Sequence, residues 1–288
     1  MELIPGIHYF IKMLKKVLLT YIFLFFGMNI SAQNTYFVTA PNGLVLRDSP
    51  DKNGNKITVV PYTSEIEKLG NTKIKLELTD NGELINGEWV KIKFNNDSNT
   101  YTGYVFSGYL IHETKIIVPY KKMGVVTSTT SKQDLYKICK DNIKDTIVFS
   151  YEDIDVTGTQ IIFPGSPDNR IKIIWNKDNL PEKVWINEGD LKTISGIGIG
   201  SKISEVEKAN KKAFLLNGFE IDNYLAGTTM DWKNGDLMGL GIQFTTTKDL
   251  GHDYPKIIGN KELASDDPYI QKARLVVMEI MMDFSNNH

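Results

Sequence analysis

Between Tyr36 and Ile111 the chain repeats one short pattern, and that pattern limits the fold more than any other feature. The stretch opens with YFVTAPNGLVLRDSP, passes through KITVVPYTSEIEKLG and GEWVKIKF, and closes with YTGYVFSGYLI. In each piece apolar and polar residues alternate over four to eight positions, between Pro, Gly, Asn and Asp. A period of two places alternate side chains on opposite faces of a strand, so these are short, half-buried strands joined by tight turns. Between the two middle strands lies NTKIKLELTDNGELING, which reads as an extended hairpin turning at Asn81-Gly82. Such a hairpin enlarges the barrel on one side and covers or extends any groove there.

The residues that carry the pattern resemble a bacterial SH3 domain. That family has a Leu-x-Val-Arg strand, a Ser/Gly-Pro turn, a Trp-Val-Lys-Val strand, a Gly-Tyr/Trp-Val strand and a Tyr-Leu ending. The counterparts are Leu44, Leu46 and Arg47, then Ser49-Pro50, Trp89-Val90-Lys91-Ile92, Gly103-Tyr104-Val105 and Tyr109-Leu110. Val45 stands where Asn is usual, and Thr63 where the family has a turn glycine. The resemblance implies a small β-barrel whose aromatic rings form a shallow groove for cell-wall peptides. On that basis Tyr62, Trp89, Tyr101, Tyr104 and Tyr109 are the groove candidates, although in a small barrel any of these rings can equally fill the core. Arg47 and Asp48, beside a turn, can be solvated, paired with each other, or in contact with a ligand.

Residues 13–32, MLKKVLLTYIFLFFGMNISA, have a positive start, an apolar run from Val17 to Phe26 and a small-residue end at Ser31-Ala32. This is the pattern of a secretory signal peptide, assigned to residues 1–32. The run is shorter than the ~20 residues that span a bilayer, and no Cys near the cleavage region could carry a lipid. The mature chain is therefore expected in a periplasm or outside the cell, with no stable membrane span. Of 33 basic and 35 acidic side chains, three and one lie in that leader, leaving 30 against 34. Such a balance lacks the clustered positive charge that nucleic-acid binding requires.

The barrel is assigned to residues 33–112 and a short linker to 113–122, around Pro119 and Lys121-Lys122. An α+β domain then fills 123–288. Within it GVVTSTTSKQDLYKI from Gly124 and GIGIGSKISEVEKAN from Gly196 share a Gly, an apolar step, Ser/Thr and an acidic-apolar pair. The Ser/Thr in each is the expected helix N-cap. Downstream, WNKDNL from Trp175 and WKNGDL from Trp232 each lead into an apolar strand, and ARLVVMEIMMDF reads as a closing strand. The fold class expected is therefore mainly β plus α+β: an N-terminal SH3-like barrel, then two helix-plus-hairpin units at about 124–190 and 196–288. The opening of each unit resembles outer-membrane lipoproteins of the SmpA/OmlA type, and the tandem units resemble secreted β-lactamase inhibitor proteins. Both resemblances favour a binding surface over a catalytic one. The pairing of this domain with an SH3-like one resembles secreted proteins of Bacteroidetes-type bacteria.

Reactive side chains are few. Cys139 is the single cysteine, so no intramolecular disulfide can form. Its helical setting, with Leu135 and Ile138, marks a small core residue rather than a nucleophile. His112 and His252 fall in different domains, His8 lies in the leader, and no HExxH occurs. A catalytic zinc needs three protein ligands and an open position, so no metal site is expected. Gly196, Gly198 and Gly200 lack the spacing of either a dinucleotide fingerprint or a phosphate loop; they read as a turn with close packing. No cofactor is expected. Carboxylates such as Glu152, Asp153, Asp155, Asp266 and Asp267 read as a solvated face. The expectation is a non-catalytic cell-envelope protein binding a cell-wall peptide or an envelope protein. The alternatives are a cell-wall hydrolase with an unrecognised carboxylate site and an inhibitor of a secreted enzyme.

Overall fold

Strands β1 (Thr35–Val38), β2 (Leu44–Arg47), β3 (Lys56–Val60), β4 (Glu65–Asp80), β5 (Glu83–Asn96), β6 (Asn99–Phe106) and β7 (Leu110–His112) pair in the order β3-β2-β6-β5-β4-β1-β7. The computed structural model describes residues 34–285 apart from 81, 97–98, 152–153, 164–165, 219–226, 247, 249 and 260; the expected signal peptide lies outside the described residues. Alternation becomes burial as a strand requires: Leu44 and Leu46 face inward while Val45 and Arg47 stay half-buried on the other side. Val38, Leu46, Val60, Val90, Ile92 and Val105 are fully buried and form the barrel core. Each contributes about 1.5–3 kcal/mol by leaving water.

β4 and β5 are much longer than their partners, at 16 and 14 residues. Their ladder runs from Glu67 opposite Lys93 to Asp80 opposite Glu83, with register shifts at Lys68/Gly70 and Asn71/Lys75. Bulges bend and twist a hairpin, so the outer half, residues 75–88, leaves the barrel as an arm. Gly82, at φ 84°, supplies the left-handed residue of the turn; Asn81 lies outside the described residues. Thr63, where the resemblance called for glycine, is held at φ 67°. Its N–H donates to the Val38 carbonyl at 2.9 Å, so the ladder imposes a conformation that a β-branched residue disfavours.

Residues 113–122, expected as a linker, are packed. After a 3-10 turn at Glu113–Lys115, β8 (Ile116–Val118) buries Ile116 and Ile117 completely. β9 (Lys122–Met123) and β10 (Val126–Thr127) follow. Next come α1 (Lys132–Cys139), β11 (Ile143–Tyr151), β12 (Ile154–Phe163), β13 (Ser166–Trp175), β14 (Pro181–Ile186) and β15 (Lys192–Thr193). The chain ends with α2 (Ile203–Asn210), β16 (Leu215–Asn217), β17 (Gly227–Asp231), β18 (Gly241–Thr245), α3 (Tyr254–Ile257), β19 (Glu262–Ala264), α4 (Pro268–Ala273) and β20 (Val276–Asp283). A four-stranded sheet, β10-β9-β8-β15, and a nine-stranded one, β11-β12-β13-β14-β20-β18-β17-β16-β19, result. Strand predominates over helix throughout, and Thr35–His288 forms one compact unit.

The helices bury one stripe each, Leu135 and Cys139 from α1, Ile203 and Val206 from α2, Ile270 and Ala273 from α4. These join Ile171, Ile173, Val184, Phe244 and Ile280 of the large sheet in one core. Ser131 caps α1, its Oγ accepting from the Asp134 N–H at 3.1 Å. At α2 the expected Ser/Thr cap is replaced: Glu205 reaches back and accepts from the Lys202 N–H at 2.7 Å, while Ser201 Oγ accepts from the Gly198 N–H. The Gly196–Gly200 run is a turn packed closely on Leu191, whose carbonyl would meet a Cβ on Gly198 at 2.7 Å.

Candidate functional site

The arm folds back along the barrel because two positions lack a side chain. A Cβ on Gly87 would meet Phe106 Cε2 at 2.6 Å and the Gly108 nitrogen at 2.7 Å, and one on Gly108 would meet Phe106 and Ile85 at comparable distances. Backbone and ring therefore touch directly. Two hydrogen bonds pin the root: Glu88 N–H donates to Ser107 Oγ at 2.9 Å, and Thr72 Oγ1 donates to the Trp89 carbonyl at 2.6 Å. Near the tip Tyr109 donates to Asp80 Oδ2 at 2.6 Å. That bond, with burial and the adjacent negative charge behind it, pushes the Tyr109 phenol up to about 12. At neutral pH Tyr109 is thus a fixed donor.

Between arm and barrel is a cleft of about 450 Å³. Its apolar walls are Leu76 and Leu78 of the arm with Trp89, Phe106 and Tyr109 of the barrel, Phe106 and Tyr109 meeting edge to face at 6.0 Å. The floor is the outward side of β2 at Val45, and Arg47, Lys52 and Asp80 supply charge. Aromatic and aliphatic walls with a few placed charges suit a small ligand or a peptide segment.

Of the five aromatic candidates, Trp89 and Tyr109 line this cleft, and Tyr62, Tyr101 and Tyr104 lie elsewhere. Tyr101 stacks on Phe94 at 6.3 Å against the barrel core. Tyr104 stands on β6 opposite Arg47 and Lys91. Tyr62 is half-buried near the Lys211–Asp236 ion pair; burial, then Asp236, raises its pKa against the opposing pull of Lys211. Arg47 and Asp48 both serve the β2–β3 turn. Arg47 Nη1 donates to the Gly54 carbonyl at 2.7 Å, and Asp48 accepts from Asn55 N and Nδ2, which with Ser49 lowers its pKa.

Leu76, Leu78 and Asp80 also line the cleft, and the aromatic pattern misses them. The signal for them is the period-two spacing of Leu76, Leu78 and Asp80, with Leu76 opposite Gly87.

Elsewhere the reactive groups have structural surroundings. Burial pushes the Cys139 thiol up, away from the thiolate a nucleophile needs. His112 packs edge-on to Tyr36 at 4.9 Å, and burial lowers its pKa. Asp267 caps α4 by accepting from the Tyr269 N–H, and Asp155 accepts from Ser150 Oγ; Glu152 and Asp153 lie outside the described residues. Among the described residues there is no cluster of His, Cys, Asp or Glu able to hold a metal. No helix among them is long and apolar enough to cross a membrane.

No curated protein and no solved structure matches the chain. Residues 42–111, which include β2, β3, β5, β6 and the whole arm, match the family model of the bacterial SH3 domain.

Proposed function

We propose that this is a non-catalytic binding protein of the cell envelope, exported by its leader, whose cleft between arm and barrel holds a peptide segment of the cell wall or of an envelope protein. The observation that carries the reading is the stapled arm: close contacts among Gly87, Gly108 and Phe106 within the chain hold Leu76 and Leu78 across from Trp89 and Tyr109. A preformed apolar cleft avoids much of the ordering cost of binding. Its position inside a bacterial SH3 segment supports a cell-wall ligand, because that family is a cell-wall-binding type of module.

The second domain, 123–288, is read as two related units offering another interaction face. Two features support that reading. The β13–β14 pairing of Lys172 with Trp185 and the β17–β18 pairing of Thr228 with Gln243 are centred at the same offset from Trp175 and Trp232. The order β12-β13-β14, then β20, then β18-β17-β16 mirrors itself about the closing strand.

The test is co-sedimentation of the purified protein with peptidoglycan sacculi. Sedimentation should be lost in Leu78→Asp, whose half-buried side chain leaves the barrel core untouched. Folded wild-type protein staying in the supernatant would refute the cell-wall ligand.

A further inference from the structure

Charge is distributed unevenly along the cleft. Arg47, at the far end of β2, stands opposite Tyr104, and Lys52 sits in the turn that follows. Neither has a carboxylate partner among the described residues, although nine ion pairs form elsewhere in them. Asp48, the acid next in sequence to Arg47, spends its oxygens on Asn55 and Ser49. The single bond from Arg47 Nη1 to Gly54 orients the guanidinium and leaves its other N–H donors for a ligand.

The other end has the opposite sign. Thr39 N–H donates to the Tyr109 carbonyl at 2.9 Å, which places Tyr109, and Asp80 bonded to it, beside the start of β2. β2 has four residues, so the ends are separated by roughly 10 Å at ~3.3 Å per residue, the reach of about three extended residues. The interval is apolar, with Val45 below and Leu76, Leu78 and Trp89 at the sides.

We propose that the cleft selects a short peptide by a free carboxylate, bound at Arg47 and Lys52, with the apolar side chains before it held by Trp89, Phe106, Leu76 and Leu78. This rests on the cleft being the peptide site proposed above and adds its polarity. Asp80 repels a carboxylate from the opposite end, so the peptide enters in one direction. A planar guanidinium receives a carboxylate through two parallel bonds, and such charge-assisted contacts are about twice as strong as neutral ones. Lys52, being exposed, adds attraction that salt screens.

The experiment titrates the full chain with two probes, N-acetyl-Ala-Leu-Ala-Ala bearing a free C-terminal carboxylate and the same peptide as its carboxamide, by calorimetry at low and high salt. The carboxylate form should bind at least tenfold more tightly, and Lys52→Gln should reduce that ratio and its salt dependence. Arg47→Gln should abolish the ratio; because Arg47 also braces a turn, its fold is checked by circular dichroism, and Lys52→Gln stands as the variant with no structural role. Equal binding of both peptides overturns the polarity. Binding of neither peptide while the wild type still sediments with sacculi also overturns it and leaves the cleft reading standing. Failure of both assays overturns both. Selective binding of the carboxylate form without sedimentation supports the polarity and refutes the cell-wall source.

Discussion

Two hairpins, β4–β5 in the barrel and β11–β12 at the edge of the large sheet, each expose some apolar side chains (Leu69, Ile74 and Leu84 on the first) and pack others, but one face of each is held differently. On the first, Leu76, Leu78 and Ile85 are half-buried against the barrel. On the second, Ile147, Phe149 and Ile154 are each half exposed or more, at 51%, 50% and 64%. Alternation does not separate the two, since both hairpins interleave apolar with polar residues. The neighbours do. The arm carries Gly87, which meets Phe106 and Gly108 where backbone can touch a ring, and is held by close packing. The root of β11–β12 is held by polar contacts: Lys132 Nζ and Thr159 Oγ1 donate to Asp145 at 2.7 Å, and Trp175 Nε1 donates to Thr159 Oγ1 at 2.8 Å. A hairpin becomes a site wall where a missing side chain lets it close.

The largest effect should come from removing that permission. Gly87→Val places methyl groups where Phe106 and the Gly108 backbone already stand, and overpacking of this kind costs typically ~1–3 kcal/mol. Urea denaturation should place the variant near the upper end of that range, with binding of the cleft ligand lost. Gly70→Ala, where a Cβ meets nothing within 4 Å, should change stability by less than ~0.5 kcal/mol. If both glycine variants behave alike, close packing does not hold the arm.

A smaller effect of opposite sign is expected just before β4, the strand that runs on into the arm. Thr63, two residues before β4, carries a left-handed φ of 67°, a strain of order 1–3 kcal/mol for a residue other than glycine. Gly is freer in the unfolded chain, which offsets part of the relief. Thr63→Gly should therefore stabilise the protein by about 1 kcal/mol in the same titration, and a loss of stability would mean that the Thr63 side chain makes a contact worth more than the strain.

Thr63 also shows what could be read from the chain alone. Its departure from the family pattern named the strained position, and the alternation from Tyr36 to Ile111 named the strands, because a period of two is a local property. The arm's length and turn were legible for the same reason. That Trp89 and Tyr109 share a cleft while Tyr62, Tyr101 and Tyr104 do not was not legible. All five fit the same alternation, and what divides them is which rings the arm folds across, a contact over 29 residues in the case of Tyr109 and Asp80. The α2 cap was misread because Glu205 performs by side-chain reach what Ser201 was expected to do.

Acid should distinguish the two hairpins next. Lys132 above all, then Thr159, holds the Asp145 pKa below its ordinary 3.8. A folded-state pKa below the unfolded one means that the unfolded chain binds more protons in the interval, so stability is present above pH ~3.8 and is lost as pH falls through the folded value. Amide protection factors, which normalise exchange to the intrinsic rate at each pH, should therefore fall at β11–β12 on acidification ahead of those in β4–β5. Asp145→Asn should open the hairpin root at neutral pH and flatten its acid response. An equal loss of protection in both hairpins would show that charge does not set their difference.

The smallest effect belongs to the exposed side chains of β11–β12. Phe149 is half exposed, so a polar replacement leaves no cavity in the core and unpairs no buried group. Phe149→Ser should shift the unfolding midpoint by less than ~0.5 kcal/mol equivalent. Leu78→Ser on the arm, which removes a half-buried wall of the cleft, should cost ~1–2 kcal/mol through lost apolar burial. Because β11 is the edge of the nine-stranded sheet, its unpaired backbone and apolar side chains form a template for further strands. Sedimentation velocity should accordingly show less self-association in Phe149→Ser than in the wild type at high concentration. A large loss of stability in Phe149→Ser would mean that this ring is packed in solution, and the two hairpins would then differ in their neighbours but not in their fate.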